Sequence, residues 1–239
     1  MTAAEIMKQL EKMGTEQTRK TFKRHGCPEP LFGVKVGDMK TLVKKVGVDV
    51  PLAKDLYKTG NPDAQYFAGL IANGSEFSPK ELDEWVRTAS WHMVGDYTVA
   101  WMAAEHPDGW QVALRWIDSP NEAIASSGWN ALSGIVNSRP DDELDLPAIK
   151  RLLKRVIKKI HAAPNRVCYT MNTFVISVGG SVTPLTQDAQ AAAKTIGKVT
   201  VDVGDTDCKV PDAGAYIQKI IDRGSQGKKR KNVKRVPGA

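Results

Sequence analysis

Apolar side chains recur along this sequence at intervals of three and four. Met39, Leu42, Val43 and Val46 form one such series, and Ala64, Phe67, Ala68 and Ile71 another; this is the spacing of a single buried face on an α-helix. Start signals stand in front of several of these series. Asn61-Pro62, Ser78-Pro79 and Ser119-Pro120 each place a capping side chain before a proline, whose missing N–H costs nothing in the first turn of a helix. Thr2 and Glu5 have capping-box spacing, so hydroxyl and carboxylate can each satisfy an orphan amide. The pattern predicts helices over 3–13, 15–24, 38–46, 51–58, 62–73, 79–88, 93–105, 108–117, 120–138, 147–161, 165–178, 186–196 and 212–222. Only Lys198 to Val203 alternates convincingly as a strand would, ending at Gly204, and one short strand builds no sheet. The expected fold class is all-α.

At 239 residues the chain can bury a large core, and no long Gly/Ser/Pro linker divides it, so a single domain is expected. No apolar run reaches the length of a membrane span, and no basic-then-apolar leader opens the chain. These features predict a soluble, cytoplasmic protein without a membrane partner. Cys27, Cys168 and Cys208 are odd in number and widely spaced, as expected of reduced thiols in the packing rather than a disulfide framework. The histidines at 25, 92, 106 and 161 lack ligand spacing, so neither a metal nor another cofactor is expected. There is no G-x-S-x-G elbow for acyl transfer.

The net charge of +7 changes meaning once it is located. Residues 224–239 hold Lys228, Lys229, Arg230, Lys231, Lys234 and Arg235 without one acid. This end is expected to be a flexible, disordered tail, either solvated or acting as a phosphate-binding arm. The remaining body is almost neutral, so a polyanion surface there requires segregated charge. Residues 148–160 provide it. Ile149, Leu152, Leu153, Val156, Ile157 and Ile160 fall on one helical face, while Lys150, Arg151, Lys154, Arg155, Lys158 and Lys159 fall on the other. Such a band is either a solvated outer face or a contact for backbone phosphates; its apolar side lacks the aromatics of a membrane-surface helix.

Most of the six tryptophans are expected to anchor the core. Trp91 has a carboxylate nearby, in Ser90-Trp91-His92-Met93-Val94-Gly95-Asp96. An aromatic face beside an acid can hold a deoxyribose and stabilise charge developing on it, although a capping or surface Asp is equally natural there.

Two further segments, Pro164-Asn165-Arg166-Val167-Cys168-Tyr169-Thr170-Met171-Asn172-Thr173-Phe174 and Gly204-Asp205-Thr206-Asp207-Cys208-Lys209-Val210-Pro211, resemble a C-terminal signature of the DNA alkylation repair family. The resemblance extends through Phe32-Gly33-Val34-Lys35, Trp116 and Gly128-Trp129. It implies an α-α superhelix, a solenoid of HEAT-like helix pairs over 1–223, followed by the tail at 224–239. It also implies a monomer bound to alkylated or distorted double-stranded DNA, acting as a glycosylase on cationic N3- or N7-alkylpurines. In that family an Asp and two Trp surround the lesion's sugar and an Arg holds the backbone. Carried over, Trp91 and Asp96 are the catalytic candidates. The family's acid falls at Gly95, so Asp96 stands one residue late; its Arg falls near Ser126-Ser127, and its second Trp has no counterpart near Met171 to Phe174, leaving Arg166 and Phe174 as substitutes. The nucleic-acid-binding candidates are then Lys150, Arg151, Lys154, Arg155, Lys158, Arg166, Phe174, Lys228, Lys229, Arg230 and Lys231. Alternatives are a noncatalytic module for damaged, bent or branched DNA, and a protein-interaction scaffold.

Overall fold

The computed structural model describes residues 1–234. Thirteen α-helices follow one another in that span: α1 Ala3–Met13, α2 Glu16–Arg24, α3 Met39–Val46, α4 Val50–Lys58, α5 Pro62–Ile71, α6 Pro79–Thr88, α7 Ala100–Glu105, α8 Gly109–Trp116, α9 Glu122–Ser138, α10 Leu146–Lys159, α11 Asn165–Ser181, α12 Thr186–Ile196 and α13 Ala213–Asp222. Two compact units result. The first comprises Met1–Gly109, Val203–Asp207 and Lys234; the second comprises Trp110–Asp202 and Cys208–Val233.

The expected caps form where the sequence places them. Thr2 with Glu5 and Ser78 with Glu81 each close a full capping box, and Asn61 accepts from two amides at the start of α5. Ser119-Pro120 behaves differently. Asn121 takes the amides of Ala123 and Ile124, so α9 begins at Glu122, and the Ser119 hydroxyl only receives the Asn121 N–H. An Asn after a proline is as good an N-cap as a Ser before one, and here it prevails.

Glu81 also receives a 2.5 Å hydrogen bond from Lys54. That bond, with the Ser78 amide second, holds its carboxyl down at about 2. A carboxyl depressed on folding adds stability above its ordinary titration range and loses it as pH falls toward 2. Glu81→Gln is therefore expected to lower the melting temperature at neutral pH and to match the parent near pH 2. The side chain is about a third exposed, which keeps the difference below ~1 kcal/mol. Thermal melts across this pH range test it.

In the first unit, residues 94–99 depart from the expected continuous helix. Val94–Val99 form a π-helical turn, and the Ala100 N–H reaches back five residues to the Gly95 carbonyl. Such a turn accommodates one extra residue within a helix. It packs closely on α5: a Cβ on Gly69 would lie 2.5 Å from the Thr98 methyl.

The alternation at 198–203 is real but has no partner strand; no strand is present among the described residues. Val199 and Val201 turn inward while Lys198, Thr200 and Asp202 stay exposed. The backbone polar groups of Asp202 pair instead with one side chain: Asn165 donates to its carbonyl at 2.7 Å and accepts its N–H at 2.8 Å. A primary amide presents the same donor and acceptor as a neighbouring strand's peptide group.

Candidate nucleic-acid interface

Helix α10 is fixed by its apolar face. Ala148, Ile149, Leu152, Leu153 and Val156 are buried, which turns the cationic positions outward at intervals of three and four. Arg151, Lys154, Arg155, Lys158 and Lys159 line an open hollow of about 300 Å³. Not all cations of the band are equivalent. Lys150 pairs with Asp188 at 3.2 Å. Arg155 donates through Nη1 to Asp118 (2.6 Å) and through Nη2 to the Ile117 carbonyl (2.8 Å), with its guanidinium 5.8 Å from the centre of the Trp129 ring. Arg155 thus ties α10 to the end of α8, where backbone carbonyls lack helical partners. Arg151, Lys154, Lys158 and Lys159 have no carboxylate partner among the described residues. Lys159, part of the band but absent from the predicted contact set, belongs with them.

Phe174 requires a correction. Expected to contact nucleic acid, it is fully buried and packs edge-to-face on Trp129 at 5.3 Å between ring centres. Phe174, eight residues after Arg166, lies in the contact between α9 and α11. Arg166 itself is half-buried, with its guanidinium 4.8 Å from the Tyr169 ring and its backbone N–H on Glu122.

The basic end is not free over its described length. Gly227 N–H donates to the Gly180 carbonyl, Gln226 to Thr186, and Arg230 N–H to the Asn137 carbonyl. Lys229 donates to the Val136 carbonyl at 2.9 Å and lies 2.7 Å from Asp141. Val136 and Asn137 stand at the C-terminus of α9, where orphan carbonyls and the negative end of the helix dipole attract cations and N–H groups. The same logic operates at the end of α5 in the first unit, where Lys234 donates to the Ala72 carbonyl and sits 3.6 Å from Glu105. Burial pulls the Lys234 ammonium below its ordinary value, and Glu105 opposes the shift. Charge alone predicted a flexible tail, either solvated or phosphate-binding, whereas the Lys229 and Lys234 ammonium groups cap helices. Lys228 and Lys231 remain exposed. Residues 235–239, the rest of the expected tail, lie outside the described residues.

The two catalytic candidates lie in different settings. Trp91 lines an apolar hollow of about 40 Å³ with Phe22, Val34, Val36, Met39, Pro62, Asp63, Tyr66 and Met93. Its indole N–H donates to the His25 carbonyl at 3.0 Å, and its ring lies 5.2 Å from that of Phe22. Asp96, in the π-helical turn, is 3% exposed and does not line this hollow. Four other tryptophans, Trp85, Trp101, Trp116 and Trp129, are buried as expected. Cys27 and Cys168 are buried too, whereas Cys208 is exposed.

Comparison with known proteins agrees with this architecture. The Listeria innocua (serovar 6a) protein Lin0241 and the Listeria monocytogenes (serovar 1/2a) protein Lmo0209 are each 31% identical to this chain over 229 residues, covering 93% of it and 99% of their own length. A solved structure described as representing a new family of proteins related to the HEAT-like repeat DNA glycosylases, with affinity for branched DNA structures, matches with a TM-score of 0.90 and 37% identity. The match covers 97% of this chain and 98% of that one. The family model of the DNA alkylation repair enzymes matches residues 6–189, from the buried Ile6 of α1 through the buried Ala189 of α12. The all-α, HEAT-like fold and this span together mean that the chain belongs to the DNA alkylation repair enzyme family.

Proposed function

We propose that this protein binds the phosphate backbone of branched or distorted duplex DNA in a repair role, without excising a base. The observation that carries this reading is the α10 hollow, ringed by cations of which Arg151, Lys154, Lys158 and Lys159 have no carboxylate partner. Unpaired cations at helical spacing suit phosphates, and releasing DNA counterions drives such binding without base contacts. The affinity of the similar solved protein for branched DNA supports the choice of substrate. Against base excision stand the burial of Asp96 and the size of the hollow beside Trp91, which has room for a water molecule rather than a sugar.

One observation favours a second reading, alkylpurine excision. The π-helical turn takes up one residue, which brings a group five positions after Trp91 nearer the face that an α-helix gives to the fourth. The acid that stands one place late in sequence lies inside this turn.

The test is binding to a linear duplex and a four-way junction over a range of salt, together with base release from duplexes carrying N7- and N3-alkylpurines. The parent is expected to bind the junction more tightly and to release no base. Substituting Gln for Arg151, Lys154, Lys158 and Lys159 together should make the log–log salt slope shallower by about 3 to 4 units, at roughly 0.9 per phosphate contact. A flat slope in the parent would dismiss the DNA reading. Base release that disappears in Asp96→Asn would replace it with the second.

A further inference from the structure

The first unit is close to neutral as a whole, yet its charge is divided sharply along the chain. Residues 17–48 contain eight lysines and arginines and two acids, whereas residues 49–109 contain four and ten. Of the eight cations, Lys23 pairs with Glu29 and Arg19 with Glu16. The other six, Lys20, Arg24, Lys35, Lys40, Lys44 and Lys45, have no carboxylate partner among the described residues, and all but Lys40 are exposed.

These six come from three segments that the fold draws together. Phe22 of α2, Val34 and Val36 of the connecting loop, and Met39 of α3 all line the same apolar hollow. The loop is further tied to the start of α2 by the Thr15 N–H on the Gly33 carbonyl. With their apolar sides converging on one hollow, α2, loop and α3 carry their cations on the outside of a single substructure. A fold selecting for stability alone would intersperse the ten acids that follow, because unpaired like charges repel. A membrane surface is a poor match, since the apolar residues of α3 that could insert, Met39 and Leu42, are buried.

We propose that this face of the first unit is a second phosphate-binding surface, engaging a duplex arm of a branched DNA whose other arm is held at α10. The inference rests on the DNA-binding reading above and adds bivalency to it. A branched substrate offers two arms to one protein, so the second contact forms at high effective concentration. Two backbone surfaces of this kind can favour a junction over a linear duplex without any reader of the branch point itself.

The test compares the triple variant Lys40→Gln, Lys44→Gln, Lys45→Gln with the α10 quadruple variant, on a four-way junction and on a linear duplex of equal total length. The triple variant is expected to lose roughly tenfold or more of its junction affinity and about 2 to 3 units of junction salt slope, with a change on linear duplex of less than about threefold. Thermal melts serve as the folding control, since none of the three lysines has an ion-pair partner to lose. Junction affinity and slope equal to the parent's would overturn the second surface while leaving α10 intact, and so would equal losses on both substrates. Failure of the underlying reading is distinguishable: there, the α10 variant would also bind both DNAs as the parent does.

Discussion

Phe174→Ala is expected to lower the unfolding free energy by about 3–5 kcal/mol, the usual cost of removing a fully buried aromatic ring. In a chain of this size that corresponds to a fall in melting temperature of roughly 6–20 °C. The cavity would open between α9 and α11, against Trp129, the largest fully buried side chain. Trp129 also lies beneath the Arg155 guanidinium, and Arg155 ties α10 to α8. Loss of the ring is therefore expected to loosen the support of the cationic helix and to weaken DNA binding only as the fold weakens. A base-stacking residue would behave in the opposite way, costing ~1–3 kcal/mol of binding with stability unchanged. Denaturant unfolding and DNA titration of one variant separate the two. Unaltered stability with lost affinity would return Phe174 to the interface.

The position of Phe174 shows where sequence reasoning had purchase and where it did not. Helices announce themselves locally: an Asn or Ser cap, a proline, a stripe of period 3.6. Each of the thirteen predicted helices accordingly has its counterpart, with ends moved by a few residues, as at Asn121, except that the one expected over 93–105 is a π-helical turn followed by α7. The inward and outward faces of α10 were legible for the same reason, because six apolar and six basic residues interleave at helical spacing. Which cations on that face are unpaired was not legible. Asp118 and Asp188 are 37 and 38 residues away from their partners Arg155 and Lys150, and only the packing of the helices brings them close. Lys229 and Lys234 failed similarly, since a charge run reads as solvated until the carbonyl ends of α9 and α5 are seen beside it. Phe174 lies in a helix whose small and polar residues, such as Thr170, Asn172 and Ser177, are buried along with the apolar ones, so no polar face marked the direction of solvent. The first unit's cation face left a signal that was missed: the charge tally by segment, which the near-neutral body average concealed.

Asp63→Ala is expected to be as damaging as the loss of Phe174, through hydrogen bonding rather than volume. The Asp63 carboxylate is 2% exposed and accepts three backbone amides: Phe32 at 2.7 Å and Gly33 at 3.1 Å on one oxygen, Val34 at 2.8 Å on the other. It stands in the first turn of α5, where the helix dipole favours an anion. Removing it strands amides that the fold has taken out of water, at about 1–3 kcal/mol for each that stays buried; relaxation of the loop makes a total of ~3–5 kcal/mol the reasonable expectation. Gly33 adopts a positive φ and sits so close to α2 that a Cβ there would lie 2.6 Å from the Arg19 backbone nitrogen, so this stretch of loop is packed tightly where Asp63 holds it. Asp63→Asn keeps one acceptor but points an NH₂ at an N–H, so an intermediate loss is expected. Amide hydrogen exchange at residues 32–34 should rise in both variants, more in the alanine one, alongside a lowered melt; protection and melting equal to the parent's would show that the loop is held by other means. The consequence reaches function through position. This loop carries Lys35 and lines the hollow that α2 and α3 share, so releasing it would separate the cations of the first unit's face. Asp63→Ala should therefore lose junction preference even at temperatures where the helices stay folded.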